Sequence, residues 1–271
     1  MKHTITVAFK EFKDATRNYW VLSSVSLLVI LSVSVMLLGS APVGEVKSTS
    51  FMITIVSLSN LTIYFVPLIA LLLSHGSFIA EFEQKTIHLL LTHPISYLDI
   101  LLGKFFAHTL VVAIAIIIGY GPVGINGLMN GELENFSHFL YLILSSILLG
   151  TTFISIAYMI SLFVKEHSTA AGMSVIVWVF FVIIYDMILL GLAILGTLNK
   201  KIFFSLFFMN PADIHRMINL IDAGNDISKI SGIMDSLDNL FVGRGVLFIS
   251  LLLWTIIPLV CSYFMLKRHA V

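Results

Sequence analysis

The chain of 271 residues is 58% hydrophobic and 11% charged, with a formal net charge of +0 and a mean hydropathy of +1.03. A soluble domain carries about 25% charged residues on its surface, so these figures exclude one and point to an integral membrane protein. No basic excess marks a nucleic-acid footprint, and the single cysteine, Cys261, excludes an intrachain disulfide and a cysteine-based metal motif.

In chain order, residues 4–18 come first. Ala8, Phe12, Ala15 and Tyr19 recur at helical spacing, with Lys10, Asp14 and Arg17 on another face, which predicts an amphipathic interfacial helix. The apolar run that follows has Glu11 and Asp14 upstream and no A-x-A site behind it, so it reads as an uncleaved span. A helix crosses the hydrocarbon core with roughly 20 apolar residues. Six segments qualify: 19–39, 52–74, 105–125, 139–164, 171–195 and 246–266. Continuous apolarity without period-two alternation favours helices over barrel strands. The predicted fold is an all-α integral membrane protein, one transmembrane domain over 1–271.

With six spans both termini share a side. That side holds 9 of the basic residues, among them Lys2, Lys10, Lys13 and Arg17 before the first span, and the other side holds 6. The bias predicts cytoplasmic termini.

Between spans two and three, EFEQKTIHLLLTHPISYLDILLGK (81–104) concentrates Glu81, Glu83, Lys85, His88, His93, Asp99 and Lys104. Glu81 and His88 share a helix face, but His88 and His93 do not, and Lys85 would repel a cation, so a metal site is not expected. Thr86–Leu91 reads as a short helix ended before Pro94. Ser96 caps a second helix with Asp99 as its capping-box acid, and Gly103-Lys104 marks re-entry into the membrane. A tightly folded loop with charge on one side is a docking element.

In span three, IGYGPVG (118–124) reads mainly as a kink at Pro122, with Gly119, Gly121 and Gly124 permitting close packing. Span five opens on the small residues Ser168 to Gly172, with Glu166 and His167 as a second, minor contact. Asp186 lies within this span, where a carboxylate is expensive. It reads as a dimer-interface hydrogen bond, a substrate contact, or an acid paired locally between helices. The long segment 196–245 contains NPADIHRMINLIDAG: Asn210 caps, Pro211 starts and Asp213 is the capping-box acid of an amphipathic helix at the outer boundary. Gly224 ends it. Polar residues 224–239 then form an aqueous loop. Met129, Met209, Met217, Met234, His138 and His215 fall on the outer side. Soft ligands suit copper, but no spacing clusters them, so no metal site is assigned.

The chain has no G-x-x-x-x-G-K-[ST], H-E-x-x-H or G-x-S-x-G. No catalytic residue is assigned, and any energy coupling must come from another subunit. An intramembrane enzyme would need convergent acids or histidines, and a passive channel would leave 81–104 unexplained.

The pattern Glu81, Thr86, Leu89-Leu90, Pro94 and Gly103-Lys104 resembles the cytoplasmic loop of the six-helix, type-2 ABC export permeases. The resemblance implies a coupling helix in which Glu81, Glu83, Lys85, Thr86, Pro94, Gly103 and Lys104 serve a separate ATPase. Lys85 departs from the family's usual glycine. A narrower resemblance runs through VPLIALLLSH, LLLTHPI, ILLGKFFAH, STAAG, YDMILL and NPADIHRMINL. It is to the permeases of the nitrous oxide reductase maturation system of denitrification, in the bacterial inner membrane. It implies a homodimer, a cytoplasmic NosF-like ATPase that carries the ATP and Mg, and a periplasmic NosD-like β-helical protein. This chain would then hold no cofactor, and the system would build the copper–sulfur centre by moving a sulfur species or by mechanical coupling. Asn210, Pro211, Asp213, His215 and Arg216 would meet the periplasmic partner. The alternative is a general export permease for a lipid or small hydrophobic solute. It would need a lateral opening, whereas partner binding would need NPADIHRMINL exposed.

Overall fold

The computed structural model describes residues 2–17, 19–39, 50–83, 96–133, 135–195, 205–227 and 243–269. Among them every regular element is helical. The elements are α1 (Lys2–Thr16), α2 (Tyr19–Gly39), α3 (Ser50–Ser74), α4 (Ile79–Glu83), α5 (Tyr97–Met129), α6 (Phe136–Phe163) and α7 (His167–Val179). A π-helical turn (Phe180–Ile184) joins α7 to α8 (Tyr185–Leu195), and α9 (Pro211–Ile227) and α10 (Arg244–His269) complete the chain. Among the described residues six helices are long and apolar enough to cross a membrane: Val21–Leu38, Phe51–Glu81, Tyr97–Met129, Phe136–Phe163, His167–Leu195 and Arg244–Arg268. Each overlaps one of the six predicted spans.

Spans two to four form the packed centre. The apolar window of span four is 67% buried, against 17% for span one and 11% for span five. The poorly covered spans therefore present their apolar side chains to lipid or to another chain. Span four achieves its burial with small polar residues. Ser145, Ser146, Thr152 and Ser155 are buried and donate to carbonyls three or four residues back, as Ser146 Oγ does to Leu142 O at 2.6 Å. Their hydroxyls are thus satisfied within the helix while α3, α5 and α10 come close. Thr152 adds a cross-helix bond to Thr255 at 2.9 Å.

Helix α5 differs from expectation at both ends of its length. The predicted capping box is present: Ser96 Oγ accepts from Asp99 N at 3.1 Å and Asp99 Oδ2 accepts from Ser96 N at 3.3 Å. It does not open a separate short helix, however. It starts span three itself, eight residues before the predicted edge, because nothing between Tyr97 and Lys104 breaks the helix. At 33 residues α5 is about 50 Å long, well beyond the ~30 Å hydrocarbon core, so it is longer than a span along the membrane normal requires. The helix also continues through Pro122. Gly119 and Gly124 there serve packing: a Cβ would sit 2.7 Å from Leu28 Cβ and 2.6 Å from Phe139 Cε1 respectively. Gly121 faces open space.

Candidate functional site

The polar side chains gather at two places, one at each end of the bundle. At the end carrying both termini, Lys104 is only 2% exposed. Its ammonium pairs with Glu11 of α1 and with Glu81 of α4 at 2.9 Å, and donates to Ser77 O at 3.2 Å. Three helices distant in sequence are thereby fastened by one buried cation. Gly103 makes the approach possible, since a Cβ there would lie 2.8 Å from Val7 Cβ and 2.9 Å from Thr4 O. Thr4 Oγ1 donates to Asp99 Oδ1 at 2.5 Å, one α5 turn away. Below this cluster His108 Nδ1 lies 2.6 Å from Tyr158 Oη. A cavity of about 310 Å³ opens beside it, lined in part by Glu11, Asp14, His75, His108 and His167. Among the described residues no three metal-ligating side chains converge.

At the other end, α9 enters the bundle between the outer ends of α3, α6 and α10, with Ile214 and Ile218 packed on Leu247 and Leu251. Asn210 caps it, its Oδ1 accepting from Ala212 N at 3.0 Å. The Asn210 amide donates to Asp213 Oδ2 at 2.8 Å and to the carbonyl of Phe181 in the π-helical turn at 2.9 Å. Such turns recur at functional sites because they redirect backbone groups out of the regular ladder. Arg216 forks onto Asp186, with bonds of 3.0 and 2.7 Å, and reaches Asp213 at 2.9 Å. His215 Nε2 lies 3.4 Å from Ser59 Oγ, and Asn219 donates to Ser145 at 3.1 Å. Tyr185 Oη and Trp254 Nε1 hold the preceding turn through Leu206 O at 2.6 Å and Phe208 O at 3.0 Å.

Charge shapes both clusters. Burial alone would raise Glu11, but the charge and hydrogen bond of Lys104 outweigh it and hold the carboxyl below its ordinary range. Asp213 goes the other way. Burial, and the negative Asp186 nearby, push it up to about 7 against the pull of Arg216. One guanidinium cannot balance two carboxylates, so the cluster retains a proton on Asp213 near neutrality. Burial and the neighbouring Arg216 bring His215 down to about 3, so it is a neutral imidazole.

Of the residues singled out on the terminal side, Glu81 and Lys104 meet each other, Gly103 is the contact point for α1, and Glu83 is exposed. Lys85, Thr86 and Pro94 lie outside the described residues, as do His88 and His93. Glu166 and His167 are on the surface, with the His167 ring against Gly76 and 5.9 Å from that of His75. At the other end Asn210, Asp213 and His215 are 0% exposed, Pro211 is buried and Arg216 partly so. The exposure expected of NPADIHRMINL is not what the fold provides: these residues bond within the bundle. Asp186 is locally paired, one of the three readings its sequence allowed. Helix α9 runs past Gly224 to Ile227, since glycine permits a stop without imposing one. Glu11 was missed as a site residue. The available signal was Lys104 itself, a cation at the edge of an apolar run that needs counterions.

Comparison with known proteins agrees with this architecture. The family model for ABC-2 family transporter proteins matches residues 5–271. The chain is 37% identical over 277 residues to the "Probable ABC transporter permease protein NosY" of Stutzerimonas stutzeri, covering 99% of each. It is 36% identical to the protein of the same description in Pseudomonas aeruginosa, over 98% of each. Near-complete alignment at that identity, on six membrane-crossing helices, makes this chain a member of the ABC-2 transporter family, similar throughout its length to ABC transporter permeases.

Proposed function

We infer that this chain is the permease subunit of a bacterial inner-membrane ABC system that serves nitrous oxide reductase maturation. It works as a homodimer with both termini in the cytoplasm and carries no cofactor. ATP and Mg are bound by a separate NosF-like ATPase, and ATP-driven motion is delivered to a periplasmic NosD-like β-helical protein for assembly of the copper–sulfur centre. One observation carries the coupling part of this reading. Glu81 and Lys104 flank residues 84–95 in the chain, and they are ion-paired to each other and through Glu11 to α1. A loop clamped at both bases transmits force instead of absorbing it.

The roles then divide. Glu83, with Lys85 and Thr86, touches the ATPase, and Pro94 sets the turn. Glu81, Gly103 and Lys104 act behind the contact as positioning residues, so a push on the loop moves spans two and three and α1 as one body. At the periplasmic end Asn210, Asp213 and Arg216 lock α9 against span five, His215 sets it against Ser59 of span two, and Pro211 starts the helix. The partner meets the surface held by that lock, around the exposed Met209 and Leu220, instead of the buried side chains.

The test is co-purification of the full-length chain with its ATPase, comparing wild type with Glu83→Lys. Glu83 is the right position because its charge is outward, whereas reversal at Glu81 would also break the internal pair. Loss of the ATPase with an unchanged elution profile is expected. Undiminished binding would place the docking surface elsewhere.

A further inference from the structure

The cavity of about 310 Å³ beside His108 is not used by the roles assigned above. Its lining includes Glu11 and Asp14 of α1, His75 and Gly76 just after α3, His108 of α5 and His167 at the start of α7. Three imidazoles from three separate stretches of chain thus share one polar hollow. Two of them are already oriented. His75 Nδ1 lies 3.0 Å from the carbonyl of Leu72. A carbonyl only accepts, so Nδ1 carries the proton and Nε2 holds the lone pair. His108 Nδ1 is taken by Tyr158 Oη at 2.6 Å. An imidazole held through one nitrogen by a backbone carbonyl has the arrangement that prepares the other nitrogen as a metal ligand. The His167 ring lies over Gly76, where a Cβ would sit 2.1 Å from its Cε1. Its centre is 5.9 Å from that of His75, with the planes at 88°. Two imidazoles that bind one ion through nitrogens at about 2.0–2.1 Å have ring centres roughly 5–6.5 Å apart, from a tetrahedral to a linear arrangement. The observed spacing falls in that range.

We propose that His75 and His167 together bind one divalent transition-metal ion of the imidazole-preferring kind, such as zinc, in this cavity. Among the described residues no third ligating side chain converges on them, so water fills the remaining positions. The cavity has room for it, since each water occupies about 30 Å³. Charge favours a cation. Lys104 is shared between Glu11 and Glu81, which leaves one carboxylate unbalanced, and Asp14 adds a second in the lining. Imidazole nitrogen selects this class over magnesium and calcium, which take oxygen ligands. Bound there, the ion bridges the start of span five to the end of span two.

The test is isothermal titration of Zn²⁺ into the full-length chain, in a Cys261→Ser background, purified in detergent with a tag that contains no histidine. One ion per chain is expected, with no heat from Mg²⁺, and the thermal midpoint rises with Zn²⁺. His75→Gln and His167→Gln each weaken binding by roughly 100-fold, since even the loss of a second-shell partner costs 10–100-fold. Their metal-free midpoints match wild type, because neither ring is in the packed core. His138→Gln, at the opposite end of the bundle, leaves binding unchanged. Gly76→Ala tests the geometry without removing a ligand: its methyl group displaces the His167 ring and weakens binding as well. No partner subunit is present, so the outcome is independent of the coupling reading above. Absence of saturable Zn²⁺ binding overturns the proposal. So does binding indifferent to His75 and His167, or binding lost equally in His138→Gln.

Discussion

Replacing Lys104 by methionine keeps an unbranched side chain, one atom shorter, and removes its charge. Glu11 and Glu81 would then face each other, their side chains 17% and 12% exposed, with no cation between them. Breaking a buried ion pair by removing one partner costs about 3–5 kcal/mol. Here the residual exposure of both carboxylates allows water to relieve part of that, so the cost is nearer ~3 kcal/mol. The loss is local, and its first consequence is release of α1. In detergent, Lys104→Met should lower the thermal midpoint and expose the chain between α1 and α2 to limited proteolysis. A triple change with Glu11→Leu and Glu81→Leu should recover most of the stability, because well-packed apolar groups commonly replace a buried pair without loss. Lys104→Met as stable and as protease-resistant as wild type would refute the clamp.

The other cluster gives parallel expectations. Arg216→Leu strands Asp186 and Asp213 together and should cost about 3 kcal/mol, while Asp186→Asn should cost less, a contrast that denaturation midpoints read directly. The raised Asp213 makes stability fall with alkali. Its proton is bound more tightly in the folded chain, so stability present at low pH is lost as pH rises from the ordinary carboxyl range through about 7. Asp213→Asn, which keeps an acceptor for Arg216 and gives up the one for the Asn210 amide, should flatten that slope below about pH 7. Glu11 contributes with the opposite sign, its stabilisation fading as pH falls through its lowered value. Gly103→Leu should detach α1 much as Lys104→Met does, since Val7 and the Thr4 carbonyl leave no room for a side chain; proteolysis between α1 and α2 again reports it.

What could be read from the chain alone followed the range of each interaction. Hydropathy is a sum over neighbouring residues, and the six spans were legible from it. Capping is decided within four residues, so the Ser96–Asp99 box and the Asn210 cap were legible as well, whereas Asp213 meets the Asn210 side-chain amide instead of closing a box on its backbone N–H. The ion pairs were not. Lys104 finds Glu11 93 residues away and Arg216 finds Asp186 30 residues away, and no local pattern encodes which acid a buried base will meet. NPADIHRMINLIDAG was read correctly as an amphipathic helix, and its Ile214, Met217 and Ile218 form an apolar face. It was placed at the boundary because periodicity states that a face is covered without stating what covers it. The polar side of α9 proved to be covered too, by Asp186, Ser59 and Ser145. Lys104 was assigned to the membrane edge on the assumption that a charge at a span end faces water; its two acids let it face inward.

The central claim is that nucleotide state, sensed at the end that carries both termini, reaches the segment held by Arg216 and Asp186. The direct measurement is the alkylation rate of Met209→Cys, a position 59% exposed, in a Cys261→Ser background. The chain would be complexed with its ATPase, with and without ATP and vanadate. A rate that changes on trapping in wild type, and no longer changes when Lys104→Met is added, is the predicted result. A rate indifferent to nucleotide in the wild-type complex would contradict it.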